Sequence, residues 1–102
     1  MTDWLSKLKI ASVIKTKGEA VIQVLEIKNN NYILFLPIDS DIEIYSKLFQ
    51  YHFGISKSIH SKSITKVCEL KNGYLVTTSK DETIKVLNVD YINKKYDIIQ
   101  KY

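Results

Sequence analysis

His60, Ser79 and Asp81 are the residue types from which a hydrolytic triad is assembled: a hydroxyl nucleophile, an imidazole to take its proton, and a carboxylate to orient the imidazole. A nucleophilic serine, however, sits on a tight glycine-flanked turn that exposes its hydroxyl, and Ser79 lies between Thr78 and Lys80. The three residues therefore point to structural hydrogen bonding, and no enzymatic activity is expected. His52 has no second histidine, cysteine or carboxylate at metal-ligand spacing, so it reads as a surface or partly buried histidine and no metal is expected. Cys68 is the only cysteine, which excludes an internal disulfide framework and a cysteine-rich zinc site; its place in an apolar run predicts a small buried hydrophobe. Without a phosphate-cradling glycine motif, paired catalytic carboxylates or a second cysteine for redox work, no cofactor is expected.

The composition narrows the class further. A chain of 102 residues with 45% hydrophobic and 25% charged residues is an ordinary globular mixture and holds one small core. The net charge of +4 comes from fifteen lysines, with no arginine, and the lysines are scattered along the chain. Arginine supplies the planar fork that suits phosphate and guanine, whereas lysine is a solvated point charge, so nucleic acid is disfavoured as a direct ligand. No run reaches the roughly 18 to 20 apolar residues of a membrane span, and the N-terminus lacks the continuous apolar stretch of a signal peptide. With a lone thiol, the expectation is a soluble cytoplasmic protein with no membrane partner.

The elements that must position these residues emerge from an internal repeat. Ile22-Gln-Val-Leu-Glu-Ile-Lys-Asn29 aligns with Thr65-Lys-Val-Cys-Glu-Leu-Lys-Asn72 at an offset of 43, and Tyr32 to Leu34, Asp39 and Ile42 to Ile44 align with Tyr74 to Val76, Asp81 and Ile84 to Val86 at an offset of 42. Ile42 and Ile44 alternate with Asp41, Glu43 and Tyr45, as Ile84 and Val86 do with Thr83 and Lys85; the period of two predicts half-buried strands. Residues 29–31 and 71–73 carry types that tolerate positive φ and predict hairpin turns, with second turns at 39–41 and 80–82. Each copy is thus three strands, with a fourth expected over Leu48 to Phe53 and over Tyr96 to Ile99. Pro37 removes a ladder donor and is expected to end the middle strand of the first copy. Tyr32, Tyr45, Tyr74 and Phe49 are expected to pack on pleated surfaces rather than to stack on bases.

The second copy, Ile64-Thr-Lys-Val67 followed by Tyr74-Leu-Val-Thr-Thr-Ser-Lys-Asp-Glu-Thr-Ile-Lys-Val-Leu-Asn88, resembles a WD repeat, and the period of about 43 residues is that of WD-type propeller blades. The resemblance implies an all-β fold of two four-stranded antiparallel propeller-like blades, an incomplete propeller. Residues 20–60 would form a first, degenerate blade and residues 61–102 a second. Residues 1–19 would be the outer strand of a preceding blade or a short helix with Trp4, Leu5 and Leu8 on one face. It further implies a buried hydrogen-bonded chain in which His60, Ser79 and Asp81 take three of four places, with Leu87 where the family has tryptophan. In the first copy Asp39 matches the turn aspartate and Lys17 stands in the histidine place.

On this analogy the binding surface is the face formed by the turns, with His60, Lys62, Lys80 and Glu82 as binding residues beside Ser61, and Lys17, Gly18, Ser40 and Asp41 as first-copy equivalents. Their mixed, mildly basic character suits an acidic peptide or protein. Since two blades cannot close a propeller, the chain is expected to serve as a protein-interaction scaffold that self-associates or joins a larger assembly. The alternative is a standalone β-rich inhibitor, of virus or mobile-element type, that blocks a nucleic-acid-handling enzyme with its basic surface.

Overall fold

A computed structural model describes residues 20–28 and 31–102; the readings placed on residues 1–19, including Lys17 and Gly18, and on Asn29 and Asn30 lie outside the described residues. Among the described residues eight strands follow one another: β1 (Val21–Ile27), β2 (Tyr32–Pro37), β3 (Ile42–Ser46), β4 (Tyr51–Ile55), β5 (Ile64–Glu69), β6 (Leu75–Ser79), β7 (Ile84–Asp90) and β8 (Lys95–Lys101), with a 3-10 turn at Lys57–Ile59 between β4 and β5. They form two antiparallel meanders of identical order, β1-β2-β3-β4 and β5-β6-β7-β8. The fold is therefore all-β. No helix of the described residues is long and apolar enough to cross a membrane.

The repeat extends to the irregularities. β1 is bulged between Val21 and Gln23 and β5 between Ile64 and Lys66, positions 43 apart; β4 bulges at His52 opposite Ile44 and Tyr45, and β8 at Ile99 opposite Val86 and Leu87, the facing positions being 42 apart. Bulges sharpen strand twist and bend, so both sheets bend at the same two places. Positive φ occurs where the turns require it, at Asn31 (58°) and Gly73 (90°) after the first strands and at Asp39 (51°) and Glu82 (69°) after the second. Pro37 is the last residue of β2, where a missing donor costs no internal ladder bond.

Three expectations are corrected here. The fourth strands are β4 and β8, because Lys47 to Gln50 are consumed by a turn in which Phe49 takes φ 61°, and β8 extends to Lys101. Phe49 and Tyr74 accordingly lie outside the strands. Cys68 is exposed: alternation puts it on the face of β5 opposite Val67, and only the Val67 side is covered by the first sheet.

The two sheets share one core. Leu34, Ile44 and Phe53 lie side by side across the first sheet and cluster with Val67, Leu75 and Leu87 of the second, with Ile59 of the connection and Ile64 at the start of β5 closing the cluster. The inner strands meet directly: the Gln23 carboxamide donates to the Val67 carbonyl at 2.6 Å and accepts from the Val67 amide at 2.8 Å. A side chain thus pairs the open edge of β5 as a neighbouring strand would, which satisfies groups that an edge otherwise exposes.

At the end carrying the β1–β2 and β7–β8 turns, Tyr91 is buried between the sheets. Its ring stacks on Tyr32 at 5.1 Å and meets Phe53 edge-on at 6.1 Å. His52 stacks on Tyr32 at 4.8 Å and donates from Nε2 to the Tyr91 carbonyl at 2.5 Å, so it fastens the two sheets rather than facing solvent. Because the core is common to both sheets, Leu34→Ala is expected to lower stability by about 2–5 kcal/mol and to do so in one transition. Urea unfolding followed by tyrosine fluorescence and by far-UV circular dichroism checks this: separate midpoints for the two probes would show that the sheets unfold independently.

Candidate functional site

The opposite end of the molecule gathers the β2–β3 turn, the β4–β5 connection and the β6–β7 turn. The β4–β5 connection makes its 3-10 turn at Lys57–Ile59 with the Ser56 hydroxyl accepting from the Ser58 amide, then drops His60 between the sheets. His60 is 4% exposed. A buried imidazole demands partners for both nitrogens, and it has them: Nδ1 lies 3.0 Å from Asp81 Oδ2 and 3.0 Å from Thr83 Oγ1, and Nε2 lies 2.7 Å from Thr77 Oγ1. The carboxylate can only accept, which makes Nδ1 the donor; in the neutral ring Nε2 then accepts from the Thr77 hydroxyl.

Asp81 is the hub. Besides His60, its Oδ2 accepts from the Ser61 amide at 3.0 Å, while Oδ1 accepts from the Thr83 amide at 2.9 Å and the Thr83 hydroxyl at 2.6 Å. Desolvation opposes its charge, but the donors from Thr83, His60 and Ser61 together outweigh that and hold the carboxyl well below the usual carboxylate range. Lys85 adds its ammonium to the Ile59 carbonyl, closing the cluster on the β7 side.

The arrangement differs from the expected one in one member. Thr77, fully buried on the inward face of β6, holds the place next to His60; Ser79 does not touch the imidazole. The Ser79 hydroxyl instead donates to the Lys62 carbonyl and accepts from the Asp81 amide, both at 3.0 Å. With its proton and lone pair engaged, Ser79 has the geometry of a turn brace and not of a nucleophile. Alternation puts Leu75, Thr77 and Ser79 on one face of β6 and so does not separate Thr77 from Ser79; Thr83 was legible only as part of the turn. Leu87 is buried in the core and contributes no donor.

His60, given as a binding residue, is thus enclosed by its own partners. Lys62, Lys80 and Glu82 are exposed on the loops that His60 and Asp81 organise. The Lys80 amide donates to the Ser63 carbonyl at 3.0 Å, which ties its loop to the β4–β5 connection. Alongside runs a crevice of about 350 Å3 walled by Lys57, Ser61, Lys62 and Ser63 on one side and by Asp39 and Ser40 on the other. In the first sheet Asp39 accepts from the Ser63 hydroxyl and Asp41 accepts from the Lys57 amide, the latter at 2.8 Å, so the turn carboxylates there brace the connection between sheets. Among the described residues no group of three histidine, cysteine or carboxylate side chains converges on a metal position. Comparison with protein-family models, with curated proteins and with solved structures finds no match for the chain.

Two outcomes follow from this geometry. Thr77→Val leaves His60 Nε2 buried without a partner and is expected to cost about 1–3 kcal/mol, more than Ser79→Ala, whose turn is partly open to water; equal losses in urea titrations would overturn the assignment of Thr77. Asp81 has a folded-state pKa below its unfolded value, so its contribution is present above about pH 4 and is lost as the pH falls through the folded-state value. Asp81→Asn is therefore expected to lower stability at neutral pH and to flatten the decline in urea midpoint between about pH 4 and pH 2.

Proposed function

We propose that the chain is a protein-interaction module, part of a propeller of WD-repeat type that is completed by oligomerisation or by a larger assembly. The repeat of strand order, turns and bulges supports the architectural half of this reading. The braced loop rim supports the functional half and is the observation that carries it. Lys62 and Lys80 stand on loops whose backbones are fixed by Asp81, Ser79 and Ser63, beside a crevice that is open to solvent.

A rigid rim matters because binding costs entropy whenever loops must be ordered on contact, and loops already ordered avoid that cost. Lysine ammonium groups on such a rim attract a partner of negative charge, and the Ser61 hydroxyl offers a hydrogen bond within the crevice. The partner class this favours is an acidic peptide segment or the acidic surface of a protein. The fully engaged Ser79 hydroxyl and the enclosed His60 ring favour a binding role over turnover, and a lone exposed thiol suits a reducing compartment such as the cytoplasm.

Fluorescence anisotropy with a labelled glutamate-rich peptide tests the reading. Binding that weakens with added salt and falls at least roughly tenfold in the Lys62→Glu, Lys80→Glu double variant is the expected result. Both side chains are exposed, so an unchanged melting curve separates lost binding from lost folding. Absence of binding to the native chain, or equal binding by the variant, would overturn the role of the rim.

A further inference from the structure

Lys85 and Lys101 stand directly opposite each other on β7 and β8. Residues paired across an antiparallel ladder project from one face with their Cβ atoms about 4.5–5.5 Å apart, and like charges so placed repel and destabilise the sheet. On β7 that face is the inward one, shared with the buried Leu87. In the first sheet the equivalent pair is Glu43 opposite Gly54, so the repeat itself does not call for two cations here. Lysine on an edge strand guards the edge against stray pairing. That accounts for Lys101 but not for Lys85, which is half-buried on an interior strand of the sheet.

The two lysines line a hollow of about 420 Å3 together with Ser58, Ser61, Asp81 and Thr83. The Lys85 ammonium gives one donor to the Ile59 carbonyl and has two left. Among the described residues neither lysine meets a carboxylate at ion-pair distance. Asp81 borders the hollow, but its oxygens already accept from His60, the Ser61 amide, and the amide and hydroxyl of Thr83. A cation drawn partly out of water without a counter-ion is costly. Ser58, Ser61 and Lys101 are exposed, so the hollow opens to solvent and a counter-ion can enter from outside the chain.

We propose that this hollow is a carboxylate-binding site, in which one side-chain carboxylate of an acidic segment is held between the Lys85 and Lys101 ammonium groups. The inference rests on the reading of the rim given above and names the group that is read. Charge sets the chemical class. Two ammonium groups and the Asp81 carboxylate leave a single positive charge around the hollow, which one carboxylate neutralises. A phosphate monoester, with a charge of about −1.5 to −2 at neutral pH, overshoots that balance and meets Asp81. The chain also has no arginine, whose fork holds phosphate through paired bonds. Position supplies the link to the rim: Ser58 and Ser61 border both this hollow and the crevice beside Lys62, so a segment lying in the crevice has the hollow within reach of a side chain. The rim lysines attract the segment, and the hollow selects a carboxylate at one place along it. Repulsion between Lys85 and Lys101, present in the free chain, is relieved in the complex.

Amide spectra of the full chain by nuclear magnetic resonance test the site without a peptide. Sodium acetate is expected to shift the Ser61, Thr83 and Lys85 amides saturably where sodium chloride of equal ionic strength does not, and inorganic phosphate is expected to bind more weakly than acetate. Lys101→Gln removes one ammonium at an exposed position. It is expected to abolish the saturable acetate shifts without lowering the urea midpoint, and to weaken binding of the glutamate-rich peptide roughly fivefold. Acetate shifts no larger than those of chloride, phosphate binding tighter than acetate, or a Lys101→Gln variant that binds the peptide as the native chain does would each overturn the proposal. The two readings fail separately. A chain that takes acetate here but does not bind the peptide keeps the hollow and loses the rim; one whose peptide binding falls in the Lys62→Glu, Lys80→Glu variant but not in Lys101→Gln keeps the rim and loses the hollow.

Discussion

A carboxylate can be drawn largely out of water only where its lone pairs are met, and Asp81, on the β6–β7 turn, meets that condition with donors from Ser61, His60 and Thr83. The rest of the loop end depends on this one satisfied charge. It orients the His60 ring, which in turn fixes the Thr77 hydroxyl; it anchors the Ser61 backbone and hence the path of the chain into β5. Without it His60 Nδ1 would keep only the Thr83 hydroxyl, and the connection would be held in the interior by the apolar Ile59 and Ile64 alone.

The network also explains how so small a chain holds two sheets together. Each four-stranded meander is bonded internally along its ladders, but sheet-to-sheet adhesion rests on one modest apolar cluster. Directional contacts supplement it at three heights: the His60 and Asp81 group at the loop end, the Gln23 carboxamide across the inner strands, and the His52 to Tyr91 bond at the far end. Each joins residues that the repeat places in different sheets or in the connection between them, so each restrains sliding in a way that apolar contact alone does not.

Much of this was legible in the sequence. The offset of 43 that slips to 42 reappears as bulges at matching places, because alternation and turn residues both report the same strand register. The pairing of His60 with Asp81 was legible only through the resemblance of the second copy to a WD repeat, which implies a hydrogen-bonded chain at those places. Ser79 was given the place that Thr77 holds, since alternation puts both hydroxyls on one face of β6 and only depth decides between them: Thr77 is fully buried, while Ser79 sits at the turn end of the strand. Cys68 was misread for a related reason. An apolar residue in a strand implies some covered face, but which face a second sheet covers is set by packing order, and the repeat treats Leu25 and Cys68 as equals although one is covered and the other is not.

The two ends of the sheet pair are not equally well bonded. Whereas Asp81 is saturated, the Tyr91 hydroxyl and Glu69 Oε2 at the far end are buried without a hydrogen-bond partner among the described residues. Burial first, and the nearby Glu69 charge second, push the Tyr91 phenol far above its ordinary range, so the hydroxyl stays protonated and remains a donor with nothing to donate to. Buried groups of this kind lower local stability. The molecule therefore concentrates rigidity at the end that carries Lys62 and Lys80 and leaves its weaker bonding at the end that carries Tyr91. In the proposed binding role that polarity would serve the rim, because loops whose backbone bonds are already made need little further ordering on contact.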